Sequence, residues 1–173
     1  AATSLQDLIS LKNEIEAEGI EVPIVSSGGT GTFQITPDIE GITEIQAGSY
    51  ATMDAKYRSV GIEQFENALT ILSTVISVHG ESAVCDLGLK SATGEFGMPT
   101  VIDPPGWEIA GLSEEHATLK RQPSDAHDLE VGDVIEVIPS HGCTTINLHD
   151  FFYITKDDTV VGVWPIAARG KFR

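Results

Sequence analysis

The sequence is poor in basic residues, poor in cysteine and free of any long apolar run. Ten Lys plus Arg stand against 26 Asp plus Glu in 173 residues, a formal net charge of −16 with a sequence pI near 4.4. Such a chain repels phosphate backbones and anionic lipid, which excludes nucleic acid and membrane surfaces as partners. The acid excess suits either a salt-rich habitat or an ordinary acidic surface. Two cysteines are too few for the disulfide framework of a small secreted domain. The longest apolar stretch, Ala68 to Val78, is interrupted by Thr and Ser and falls well short of the ~20 residues a membrane helix needs. No basic segment followed by an apolar one opens the chain. The expectation is a soluble, cytoplasmic protein. Internal repeats and low-complexity linkers are also missing.

What is present is 41% hydrophobic sequence, enough for one or two small cores. Leu5, Leu8, Ile9, Leu11 and Ile15 recur at three and four residues, the stripe of a helix that stops at Gly19. Ile20 to Val25 then reads as a buried strand emptying into Ser26-Ser27-Gly28-Gly29-Thr30-Gly31-Thr32. A second unit runs from Ile42 through Gln46 into Gly48-Ser49-Tyr50. Strand, loop, strand, loop is the rhythm of a parallel α/β sheet.

After Asn67 the helical period disappears. Ala68 to Val78, Ala83 to Leu89, Thr100 to Ile102 and Val134 to Ile138 read as strands, and Phe151 to Ile154 with Val160 to Pro165 as a closing hairpin. Turn residues separate these runs at antiparallel spacing. The fold class expected is therefore α/β plus all-β, with a boundary near residue 60. Residues 1–60 hold only about two strand-loop units, whereas a (β/α)₈ barrel takes roughly 250 residues. They read as the tail of such a barrel, and residues 61–173 as an antiparallel β-domain.

The first glycine loop suits an anion, because glycines let backbone N–H groups converge and Ser27, Thr30 and Thr32 add hydroxyls. A plain flexible turn explains the same string. It lacks the lysine of a Walker loop and the spacing of a dinucleotide fingerprint. His141-Gly142-Cys143 follows the strand Val134 to Ile138, and on extended chain the two side chains would share a face, imidazole and thiolate together suiting Zn²⁺. The alternative is a loop histidine beside a buried cysteine. His116, set among Glu114 and Glu115, is a further candidate whose ring carboxylates would orient. His127 and His149 read as surface or structural, His79 lies in a turn and is assigned no role, and Cys85 reads as a small buried strand residue.

These stretches together resemble the C-terminal part of the D-serine dehydratase and D-threonine aldolase family, pyridoxal-phosphate enzymes of the alanine-racemase fold type. The resemblance is carried by Val25-Ser26-Ser27-Gly28-Gly29-Thr30, Glu44-Ile45-Gln46-Ala47-Gly48-Ser49-Tyr50, Asp86-Leu87-Gly88-Leu89-Lys90, Leu112-Ser113-Glu114-Glu115-His116, Pro139-Ser140-His141-Gly142-Cys143 and Asn147-Leu148. It implies that Ser27, Gly28, Gly29 and Thr30, with Gly48, Ser49 and Tyr50, hold the cofactor phosphate, and that His141 and Cys143 hold a divalent metal, zinc by preference. A cysteine as second ligand is like the zinc-dependent D-serine dehydratases, and an aspartate like several aldolases and hydroxyaspartate dehydratases.

The resemblance further implies a D-3-hydroxy amino acid substrate, a homodimer, and a Schiff-base lysine on a barrel segment upstream of residue 1. No lysine of this chain matches that position. Lys90, within the β-domain, reads as a structural group or one that supports the site from behind. D-threonine aldolase, 3-hydroxyaspartate dehydratase and a racemase are the enzyme alternatives. A stand-alone β-domain that binds a metal or a partner is the non-enzyme one.

Overall fold

The computed structural model describes residues 2–123 and 126–171. Helix α1 spans Ala2–Ala17. Its stripe is only partly covered, since Leu5 is buried while Leu11 is exposed. Two extended segments follow, joined by a single parallel bridge between Ser26 and Glu44. The buried strand expected at Ile20 to Val25 does not form. Val25 is buried, but Ile20 and Ile24 are 61% and 65% exposed. A parallel strand is buried only when strands flank it and helices cover both faces, and among the described residues these two segments have only each other. The structure does not itself build a barrel here.

The rest is the antiparallel domain that the β-rich half predicts. Its strands are β1 (Ile71–His79), β2 (Ser82–Cys85), β3 (Thr100–Asp103), β4 (Trp107–Leu112), β5 (Ala117–Arg121) and β6 (Val134–Ile138). They form one sheet in the order β3-β6-β1-β2-β5-β4. The two edge strands, β3 and β4, are consecutive in the chain and joined by Pro104-Pro105-Gly106. The sheet therefore curls until its ends meet, giving a barrel-like body.

Alternation sets the inner face. Trp107 and Ile109 on β4, Ala117 and Leu119 on β5, and Ile135 and Val137 on β6 are buried with Val75, Ala83, Cys85 and Leu87. Each fully buried Val, Leu or Ile side chain contributes about 1.5–3 kcal/mol. Trp107 keeps its indole N–H satisfied by donating to the His127 carbonyl at 2.9 Å.

Strands β4 and β5 are absent from the sequence expectation, and the run after Cys85 is not strand. Asp86 ends β2 by turning its carboxylate back, its Oδ1 accepting from Ser73 Oγ at 2.8 Å and Thr74 N at 2.7 Å. Gly88 then lies so close to the Glu114–Glu115 backbone that an added Cβ would be 2.5 Å away.

Two short helices, α2 (Ala55–Ser59) and α3 (Gly142–Ile146), sit beside the sheet. The hairpin β7 (Phe151–Lys156) and β8 (Thr159–Pro165) forms a separate two-stranded sheet. Asp157 and Asp158, both with positive φ, make its two-residue turn. No helix among the described residues is long and apolar enough to cross a membrane.

Candidate functional site

The site begins where the two glycine loops are tied together. Ser27 N–H donates to the Glu44 carbonyl at 3.1 Å, and Tyr50 N–H to Thr30 Oγ1 at 3.0 Å. Thr30 is thus buried and works as the crosslink between the loops. Thr32 is also occupied internally, its Oγ1 accepting from Gly29 N–H at 3.1 Å and lying 3.0 Å from Thr36 Oγ1.

Gly28 needs to be glycine on two counts: φ is +78°, and a Cβ would strike Thr36 Oγ1 at 2.5 Å. A Cβ at Gly48 would meet nothing within 4 Å, and one at Gly29 only the Gln46 carbonyl at 3.7 Å. The loops are therefore rigid behind and open in front, which suits an anion approached by backbone N–H groups. Beside them Thr30, Phe33, Ala47, Tyr50 and Phe65 line an apolar recess of about 170 Å³. The Tyr50 and Phe65 rings are 5.4 Å apart.

The His141 loop reaches the same place. Ser49 Oγ lies 3.6 Å from Cys143 Sγ, although 94 residues separate them in sequence. His141 and Cys143 are not neighbours on extended chain, as the spacing alone suggested. His141 is the extended N-cap of α3, and Cys143 lies in the helix's first turn, exposed.

Asp54 connects the two halves of the site. It is fully buried; its Oδ1 accepts from Tyr57 N–H at 2.9 Å, capping α2, and its Oδ2 accepts from Gly142 N–H at 2.8 Å. The first two N–H groups of α2, Ala55 and Lys56, donate to the carbonyls of Pro139 and Ser140 at 3.0 and 3.1 Å. Met53 N–H donates to the Ser49 carbonyl at 2.7 Å. One short segment therefore fixes the second glycine loop and the histidine loop relative to each other.

On the other side Glu95 Oε1 bonds His141 Nδ1 and accepts from Thr144 Oγ1 at 3.1 Å. The His141 hydrogen bond, aided by Thr144, holds the Glu95 carboxyl below the ordinary range against partial desolvation. Sequence reading missed both Asp54 and Glu95. An N-cap signature in Asp54-Ala55-Lys56-Tyr57 could have exposed the first; Glu95 sits in a loop with no periodicity and gave no local signal.

The other sequence candidates lie elsewhere. Glu114 and Glu115 pair with Lys90, at 3.5 and 2.8 Å, so the carboxylates expected around the His116 ring are engaged by an exposed lysine. His149 is tied to the Ser91 carbonyl at 2.7 Å and Cys85 is buried. A larger recess of about 270 Å³, lined by Asp103, His127, Asp128 and Asp133 among others, contains none of the residues singled out above for cofactor or metal.

As donors, an imidazole and a thiol suit zinc. No group of three or more His, Cys, Asp or Glu able to hold a metal occurs among the described residues. His141 and Cys143 would supply two ligands, leaving other positions to water or substrate.

The sequence model of a putative serine dehydratase domain matches residues 68–155. The chain is 36% identical over 160 residues to a D-threonine aldolase of an Arthrobacter species, covering 90% of this chain and 42% of the relative. It is 27% identical to a D-serine dehydratase of Schizosaccharomyces pombe, with 94% of this chain and 42% of the relative covered. An uncharacterized protein of Mycobacterium bovis is 38% identical over 60% of this chain and 85% of that protein. The solved structure of D-threonine aldolase from Filomicrobium marinum superposes with a TM-score of 0.85 at 33% identity, covering 94% of this chain and 46% of that one. The chain thus spans about two fifths of the length of the enzymes it matches.

Proposed function

Since this chain belongs to the putative serine dehydratase domain family, we propose that it is the C-terminal portion of a pyridoxal-phosphate- and metal-dependent lyase acting on D-3-hydroxy amino acids. The finer assignment is D-serine dehydration to a keto acid and ammonia. Similarity to D-threonine aldolases favours a second reading, cleavage to glycine and an aldehyde.

The observation that carries the proposal is the contact of Ser49 Oγ with Cys143 Sγ. It brings the second glycine loop against the Cys143 turn, where one small substrate would meet both. When bound, pyridoxal phosphate supplies an electron sink for a carbanion at the substrate α carbon, and the metal a Lewis acid at its β-hydroxyl.

The chain's own part is positioning. The backbone N–H groups of Gly28, Gly48 and Ser49 would hold the phosphate, Gly29 giving it room while its own N–H stays on Thr32 Oγ1, and Ser27 lending its hydroxyl. Thr30 would keep the two loops in register through the Tyr50 N–H. The Tyr50 ring, half exposed over Phe65, would wall the site and exclude water. His141 and Cys143 would hold the metal where the substrate hydroxyl sits.

The Schiff-base lysine is assigned to a barrel segment outside residues 1–173, so this chain alone would bind cofactor weakly and turn nothing over. That segment and a second copy of the chain are the partners proposed. The hairpin supports a partner, since Tyr153, Val161 and Trp164 are each more than 60% exposed, and an isolated hairpin is marginal in water.

The test is an assay of the complete enzyme. D-Serine should yield keto acid and ammonia, activity should vanish on chelation and return with Zn²⁺, and Cys143→Ala should cost more than about 100-fold, beyond what losing an outer-shell partner costs. D-Threonine cleavage without D-serine turnover would replace dehydration by the aldolase reading. Turnover of neither would sink the proposal and leave a metal- or partner-binding β-domain.

A further inference from the structure

The surroundings of His141 specify which of its two nitrogens faces the site. A neutral imidazole carries its proton on Nδ1 or Nε2, and only the other nitrogen can bind a metal. Free histidine in water prefers Nε2–H, which would leave the wrong nitrogen outward.

Here Nδ1 meets Glu95 Oε1, and the same oxygen accepts the Thr144 hydroxyl at 3.1 Å. Two donors converging on one oxygen require it to be the acceptor in both bonds. Thr144 Oγ1 is itself 3.5 Å from Nδ1 and already donates to Glu95, so it competes poorly for the ring.

The carboxylate is also held in place. Ser140 and Thr145, each 1% exposed, clamp its segment: Ser140 Oγ donates to the Thr93 carbonyl at 2.7 Å, and Thr93 N–H donates to Thr145 Oγ1 at 3.2 Å. Glu95 N–H donates to Thr93 Oγ1 at 3.3 Å. The Phe96 ring lies 4.9 Å from the imidazole and limits its rotation. Buried polar side chains directed at a neighbouring loop's backbone are a costly arrangement to keep unless that loop must be set accurately.

We infer that Glu95 is a positioning residue: it accepts the Nδ1 proton of His141, fixes the ring in the Nδ1–H tautomer, and leaves the Nε2 lone pair available to a metal. This deepens the metal role proposed above and rests on it for its purpose, although the tautomer itself can be read without metal.

The experiment uses the metal-free chain at about pH 8, above the ordinary histidine range, with ¹⁵N-labelled histidine and long-range ¹H–¹⁵N correlation. His141 should show a protonated Nδ1 and a bare Nε2. Glu95→Ala should revert it to the Nε2–H form of free histidine. Glu95→Gln should largely keep the native tautomer, because its amide oxygen can accept the same proton. Truncation at a side chain that is 39% exposed should leave the fold intact.

In Co²⁺ titrations Glu95→Ala should weaken binding by roughly 10- to 100-fold, with Glu95→Gln between it and the native chain. A native His141 in the Nε2–H form, or equal Co²⁺ affinity in the native and Glu95→Ala chains, would overturn the inference. An Nδ1–H tautomer in a chain that binds no Co²⁺ would uphold the assignment of Glu95 and remove the metal reading instead.

Discussion

Removing the Asp54 carboxyl would orphan two backbone donors at once. Tyr57 N–H would lose the cap of α2, and Gly142 N–H would be left buried without a partner. A lost N-cap costs about 0.5–2 kcal/mol and an unsatisfied buried donor about 1–3. Asp54→Ala should therefore destabilise the protein by about 2–4 kcal/mol in urea unfolding, and Asp54→Asn by less, since one acceptor oxygen survives. A loss below about 0.5 kcal/mol for Asp54→Ala would mean that water takes over both bonds. At this scale the sequence named the residues with recognisable chemistry, His141 and Cys143. It did not show the two carboxylates that bond the His141 ring and the Gly142 N–H, because Glu95 and Asp54 lie 46 and 87 residues away from His141 and only the fold closes those gaps.

Among the elements, strands long and apolar enough to stand out were legible. Val134–Ile138 forms over the span its β-branched run predicts, and the Phe151–Pro165 hairpin forms around the aspartate turn. Strands β4 and β5 were not legible, because Trp107-Glu-Ile-Ala-Gly-Leu and Ala-Thr-Leu-Lys-Arg bury only one face and mix charge into the other. Alternation at Trp107/Ile109 and Ala117/Leu119 was the available signal.

The same stretch explains Gly88. Its neighbours Leu89 and Lys90 donate N–H bonds to the Ser113 and Glu114 carbonyls at 2.9 Å each, drawing backbone onto backbone. Gly88→Ala places its Cβ against main-chain atoms that cannot swing aside. It should cost about 1–3 kcal/mol as overpacking, read as a lower urea midpoint at unchanged slope. Gly111→Ala, with nothing within 4 Å of its Cβ, should stay within about 0.5 kcal/mol. Equal effects of the two substitutions would remove close approach as the reason for Gly88.

For the whole molecule, a net charge of −16 places many like charges on one small surface. Self-repulsion opposes the compact state and is screened as the Debye length shrinks. Thermal stability should rise as NaCl increases from about 0.05 to about 0.5 M, the range over which that length falls from well above to well below 10 Å. A flat or falling Tm would mean that attractive pairs such as Arg121–Asp128 at 2.7 Å outweigh the repulsion. Ile20 and Ile24 on the extended segment and Trp164 on the hairpin are exposed together with the sheet-edge apolar groups. These surfaces are the sites where burial by the proposed partners would be felt first.

By itself the sequence determined the character of each part. The charge balance set an acidic surface, the change of period near residue 60 separated a helical opening from a β-rich remainder, and the glycine loops with His141 and Cys143 stood out as the candidates for chemistry. These properties are local, written in runs of neighbouring residues. The tertiary structure decided what depends on distance in space: the meeting of Ser49 with Cys143, the buried Asp54 between the loops, the bonds of Ser140 and Thr145 with the Thr93 backbone near Glu95, and the exposure of Ile20 and Ile24. Hydrogen bonds across many tens of residues leave no periodic trace in the chain. A strand's burial depends on neighbours that its own sequence does not contain.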